Sequence, residues 1–289
     1  MLLRLVALQV QFQVIRTSAR TQPKSLTVAM SAMCAVLYAM GSYLTAYLVS
    51  PWGSGQFRPA VVIPAVFASL FGPVVGGLGA AVGTLIADSL AHGQIYVRSL
   101  VSAVPGNFVG FFLFGWLMKR RFGWANYIKT SQVTLILSNG MVAFLYVYYR
   151  TFVDGSYPVA FRDGWIYVSL GLVAWWYVTM LPFVLVLGPI LIRAVAPALS
   201  GLVSQELSLK LKEEVPRKSL FVAMILPSMI MLAIGVTLVT ANPSLLVSSS
   251  FASNAVILTG MQLMFLGSGL ILLVLSVLTL RLAEPLKTT

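Results

Sequence analysis

Apolar runs long enough to cross a bilayer recur along the whole chain, with little polar sequence between them. Inside hydrocarbon no water can satisfy the backbone, so such runs fold as helices that close their own hydrogen bonds. Composition points the same way: 59% of the residues are hydrophobic and 9% are charged, against about 25% charged in soluble domains. Mean hydropathy is +0.93. The expected fold is all-α, a polytopic membrane helical bundle, with no polar stretch long enough to build a separate soluble domain.

Apolar length and turn chemistry place eight spans near 27–49, 59–72, 73–91, 100–118, 131–150, 165–193, 219–241 and 255–280. The second is short and carries Pro59 and Pro64, which predicts a kink or a late start. Pro73 is placed to open the third. Residues 1–24 are basic and broken by Gln9, Gln11 and Gln13, so they read as an interfacial segment, with an extra span as the alternative. Residues 25–197 then form a six-helix core and 219–289 a two-helix extension with a tail. The connector, 198–218, carries Leu199, Val203, Leu207, Leu211 and Val215 at helical spacing, which predicts an amphipathic helix.

Orientation follows from lysine and arginine. With the N-terminus inside, 15 basic residues fall on the cytoplasmic side and four, Arg58, Arg98, Arg150 and Arg162, fall outside. The expected location is the plasma membrane, multi-pass, with both termini cytoplasmic. The net charge of +12 is then explained by basic loops at anionic headgroups, without nucleic acid. One cysteine, Cys34, and one histidine, His92, supply no disulfide and no zinc-type cluster, so no metal or cofactor is expected.

The stretch FGPVVGGLGAAVGTLIADS, 71–89, holds five glycines and ends beside an aspartate. Between membrane helices, small residues permit close backbone approach. Gly79, Gly83 and Ala87 form one such stripe, and Gly72, Gly76 and Ala80 another. Packing does not account for Asp88, since an ionisable group near the end of a span is either wet or lines a polar cavity. On the first span Ser31, Ala35 and Ala39 share a face, with Ala32 beside them. That face either packs within the chain or stays open for another membrane protein.

A basic N-terminus, an alanine-rich first span, RPAVVIPAVFASLFGPVVGGLGAAVGTLIADSL and VPGNFVGFFLFGWLMKRR occur here in that order. Over roughly residues 25–197 the chain resembles the substrate-binding S components of energy-coupling factor (ECF) vitamin transporters. The resemblance implies a subunit that captures a vitamin or similar micronutrient on the outer side. It also implies two kinds of partner, a transmembrane coupling protein and a pair of ATPases of the ABC type. No G-x-x-x-x-G-K-[ST] phosphate loop is present in the chain. In that family a small-residue face on the first span docks the coupling protein, which maps here to Ser31, Ala35 and Ala39, with Ala32 beside them. The two C-terminal spans depart from the six-helix pattern.

Candidate substrate-binding residues come from the outer loops and span ends: Trp52, Gln56, Arg58, Asp88, His92, Arg98, Asn107, Tyr149 and Trp165. Aromatic faces with a few placed polar groups suit a small-molecule pocket. Asp88 and Asn107 lead, because a polar group without a partner is costly within a span. Asn139 and the Trp175–Trp176–Tyr177 cluster rank below them. Arg150 and Arg162 are expected to pair with Asp154 and Asp163. The functional expectation is capture without catalysis. The alternatives are an autonomous secondary transporter or channel, or a structural subunit of a larger membrane complex.

Overall fold

The computed structural model describes residues 23–50, 54–157, 160–199, 201–203, 205–241 and 255–281. Among them the fold is all-α. Helix α1 is Lys24–Leu44, a 3-10 turn at Pro59–Val61 runs into α2 (Val62–Phe71), and α3 is Pro73–His92. The short α4 (Val97–Val101) leads to α5 (Ala103–Arg120), and α6 (Trp124–Tyr148) continues through a π-turn to Val153. After α7 (Ala160–Asp163), α8 (Trp165–Pro182) passes through a π-turn at Phe183–Leu187 into α9 (Gly188–Val195). The short α10 (Gln205–Lys210) precedes α11 (Arg217–Thr240) and α12 (Ala255–Arg281).

Among the described residues, six helical stretches are long and apolar enough to cross a membrane: Lys24–Leu44, Pro73–His92, Trp124–Val153, Trp165–Leu199, Arg217–Thr240 and Leu258–Leu280. Their outward faces carry exposed Val36, Leu37, Met40, Val82, Ile136 and Leu170, apolar surface that lipid, not water, would solvate. This is the architecture of a multi-pass membrane protein. All eight predicted spans are helical, and two of them are shorter or less apolar than the rest. The Pro59–Phe71 stretch is among the shorter apolar helices, covering about 20 Å of a roughly 30 Å core. It is enclosed by its neighbours, with Val62, Ala65, Ala68, Leu70 and Phe71 buried, so lipid does not set its length. The other, α5, is diluted by Gly106, Asn107, Gly110 and Gly115, which serve contacts inside the bundle.

Those contacts bring each glycine backbone close against a neighbouring helix. A Cβ on Gly79 would lie 2.5 Å from Cys34 Cβ, and one on Gly83 would lie 2.7 Å from the Ala35 carbonyl oxygen. Helices α1 and α3 therefore meet along the stripe that contains Ser31, Ala35 and Ala39, all of them buried. That corrects the expectation of a docking face: these residues are occupied within the chain, while Ala32 lies off the seam and is exposed. Gly76 meets Ala68 and the Phe111 carbonyl, and Gly115 meets Pro73. Gly72 has a different role. Its φ of +92° belongs to the region that glycine tolerates best, and it turns the chain between α2 and α3.

The connector also differs from expectation. Its apolar residues do point one way, with Val203, Leu207 and Leu211 buried, but α10 holds only six residues. Arg193 donates from Nε to the Leu211 carbonyl at 3.0 Å and from Nη2 to that of Glu213, fixing the segment to α9 instead of letting it run as one helix. Helices α11 and α12 pack chiefly on one another. Gly235 sits against Leu266 and Gly269 against Leu232, and Ser228 Oγ donates to the Gly269 carbonyl at 2.7 Å. The pair joins the core along α6 and α8, where Gln132 Nε2 donates to the Ala223 carbonyl at 2.8 Å and Gln132 Oε1 accepts from the Tyr177 hydroxyl.

Candidate functional site

The helices alternate in direction, so the loops 45–58, 93–102 and 149–164 gather at one end of the bundle. The opposite end carries Lys119, Arg120, Arg121 and Lys129, with the Arg193 to Lys218 segment. Between the ends of α1, α3, α5, α6 and α8, on the side of the first loops, lies a cavity of about 210 Å³.

Its floor is a polar network. Thr84 and Asp88 stand one turn apart on α3, so both present to the same side. Arg58, immediately before Pro59, reaches both: its Nη2 pairs with the Asp88 carboxylate and its Nη1 donates to Thr84 Oγ1. Arg58 is 7% exposed and Asp88 4%, so each charge depends on the other. Burial works against the Arg58 charge, but the Asp88 carboxylate and the Tyr38 hydroxyl together outweigh it and hold the guanidinium above its ordinary pKa. Gln56 Oε1 accepts from Arg58 Nη2 at 2.9 Å. On α5, Asn107 Nδ2 donates to Thr84 Oγ1 at 3.1 Å and its Oδ1 accepts from Ser138 Oγ at 3.3 Å. The network thus ties the 45–58 loop to α3, α5 and α6.

The walls are aromatic and amide-bearing. His92 Nδ1 donates to the Asp88 carbonyl at 2.7 Å, and its ring stacks on Tyr96 with centroids 3.7 Å apart. Trp176 Nε1 donates to the Gln56 carbonyl at 3.0 Å, pinning the loop against α8. Gly55, at φ +82°, lies close against Leu172 and Trp176 and lets the chain bend there. Tyr38, Asn139, Tyr146 and Met180 complete the enclosure. Ser99, also in the wall, has a buried Oγ that makes no hydrogen bond among the described residues.

Of the predicted residues, the structure brings Gln56, Arg58, Asp88, His92, Arg98 and Asn107 together around this space. Trp52 lies outside the described residues. Tyr149 does not line the cavity; with Asp154 it lines an adjoining depression that shares His92, Tyr96 and Arg98 with it. Trp165 packs in an aromatic cluster with Phe144, Tyr148 and Phe152 at 5.9–6.0 Å, away from the cavity. Arg98, not Arg150, pairs with Asp154, at 2.6 Å. Burial raises the Asp154 pKa, but its hydrogen bonds with Ser156 and Arg98 outweigh that and leave it below the ordinary value. Arg162 and Asp163 form no ion pair among the described residues.

Sequence reasoning missed Tyr38, Thr84 and Ser99. Thr84 could have been found, because it falls one turn before Asp88 inside an otherwise apolar run. Tyr38 gives no such signal on an apolar helix. Comparison with family models, with curated proteins and with solved structures finds no match to this chain.

Proposed function

We propose that the protein is a membrane substrate-capture protein, the binding subunit of a micronutrient importer of the kind its sequence resembles, with ATP hydrolysis left to partners. The observation that carries this reading is the cavity itself. It is small, it is walled by aromatic and amide groups, and its buried ion pair is already satisfied. Such a lining suits recognition, and the bonds among Arg58, Thr84, Asp88 and Asn107 hold those groups in position. The positive-inside rule puts the opposite, basic end in the cytoplasm, so the cavity would open outward.

A second reading draws support from the seam between α1 and α3. With Ser31, Ala35 and Ala39 buried, the face that the resemblance assigns to a coupling partner is occupied, which favours a carrier that works alone. One experiment addresses both. The purified full chain would be denatured and any released small molecule identified by mass spectrometry, then its uptake measured in proteoliposomes without ATP. Capture predicts a released molecule whose yield falls at least tenfold in Trp176→Ala, and no ATP-independent uptake. Uptake without ATP would establish the autonomous carrier. A chain that releases and binds no small molecule would end the capture reading.

A further inference from the structure

We propose that the cavity selects a small monoanionic ligand with a planar body, and that Arg150 receives its negative group. The proposal deepens the capture reading and rests on it.

Charge balance is the starting point. The charged side chains around the space are Arg58, Asp88, Arg98, Arg150 and, just beyond the wall, Asp154. Arg58 is neutralised by Asp88 and Arg98 by Asp154. No carboxylate pairs with Arg150 among the described residues, and neither 51–53 nor 158–159 contains an acidic residue. Arg150 instead donates from Nε to Ser156 Oγ at 2.9 Å and from Nη1 to the Tyr146 hydroxyl at 3.2 Å. Its guanidinium lies 3.9 Å from the Tyr157 ring centroid. Neutral oxygens and a ring face hold the group in place without compensating its charge.

The site therefore carries one uncompensated positive charge, fixed in direction and partly screened from water, where attraction to an anion exceeds that in bulk solvent. A planar guanidinium matches a carboxylate through two parallel hydrogen bonds. One negative charge balances the site, whereas two would leave an excess. The body of the ligand follows from the walls: the His92–Tyr96 stack, Tyr146 and Trp176 offer ring faces. The volume, about 210 Å³, is below the roughly 300–1,000 Å³ of pockets for drug-sized molecules, which limits the ligand to about one ring and its substituents. Amines are disfavoured, since Asp88, the carboxylate that lines the cavity, is committed to Arg58.

The test is calorimetric titration of the purified full chain with three probes of one shape, benzoate, benzamide and benzylamine. Benzoate is expected to bind at least tenfold more tightly than the other two. Arg150→Gln should bring benzoate down to the level of benzamide, and Arg150→Lys should restore part of the preference. Equal binding of benzoate and benzamide by the parent chain would overturn anion selection while leaving capture intact, and this comparison needs no variant to fold. Undiminished benzoate binding by Arg150→Gln would overturn the assignment to Arg150. Binding of no probe, together with release of no small molecule on denaturation, would remove the capture reading and this proposal with it.

Discussion

The core, α1 to α9, and the α11–α12 pair are both apolar helices in contact, yet they are built differently. In the core, glycines on α3 and α5 bring backbones together, and polar side chains buried between helices are bonded to one another across four elements. In the pair, Gly235 and Gly269 each admit one leucine, and the lateral bonds run from a single side chain to a backbone carbonyl. The first arrangement fixes where particular groups stand. The second fixes only that two helices stay together. A chain that must hold a cavity open needs the first, because lipid is as good a solvent for leucine as another leucine is.

The sharpest way to break this contrast is to overfill the α1–α3 seam. Gly83→Leu should cost about 3 kcal/mol or more, since the new side chain meets the Ala35 backbone. Loss of the monodisperse peak in size-exclusion chromatography would register it. Ala35→Trp should act alike in the isolated chain. Gly269→Leu should loosen the pair and leave ligand release from the core unchanged.

The buried ion pair comes next. Asp88→Asn leaves the Arg58 charge enclosed without its partner, a loss of about 3–5 kcal/mol. Asp163→Asn, at an exposed position, should change stability by less than about 0.5 kcal/mol. Thermal unfolding of the two variants, measured side by side, tests the difference. If they melt alike, the pair does not organise the core.

A smaller effect is expected at the junction. Gln132→Leu removes the bond to Ala223 that ties core to pair and, with it, the bond from Tyr177 that holds the Gln132 side chain in place, about 1 kcal/mol for each. Faster proteolysis of the segment before α11, with the core resistant, is the expected outcome. Equal digestion of the two parts would mean that they do not separate at this junction.

The smallest effect concerns acid. The Asp154 pKa is lowered from 3.8 in the folded chain, so its contribution is present above that value and is lost as pH falls from about 3.8 through the lower, folded one. Asp154→Asn should therefore flatten the stability profile only below about pH 4, and a difference at pH 7 that vanishes in acid is the signature to look for.

Much of this was legible in the residues. The all-α class and the course of the long helices follow from apolar length, and the choice of Asp88 as a site residue follows from the cost of a charge at a span end. What was not legible is which face of a helix meets which neighbour. The stripe of Ser31, Ala35 and Ala39 looks the same whether it meets α3 or another protein, and only the glycines opposite it decide the matter. Likewise Arg98 and Arg150 were equivalent loop cations until the fold brought one to Asp154 and the other to Tyr157.

One consequence lies beneath the cavity. There α2, α3 and α5 meet through Gly76, Gly115 and the Gly72–Pro73 turn, with main-chain atoms and the Ala68 Cβ, which has no torsion to turn, forming the contact. A side chain can swing aside as a gate, but a main-chain contact cannot rotate out of the way. Passage toward the basic end would therefore require whole helices to slide or tilt as rigid bodies. Below the cavity, a route toward the basic end would open only through a movement of the bundle, not of a residue.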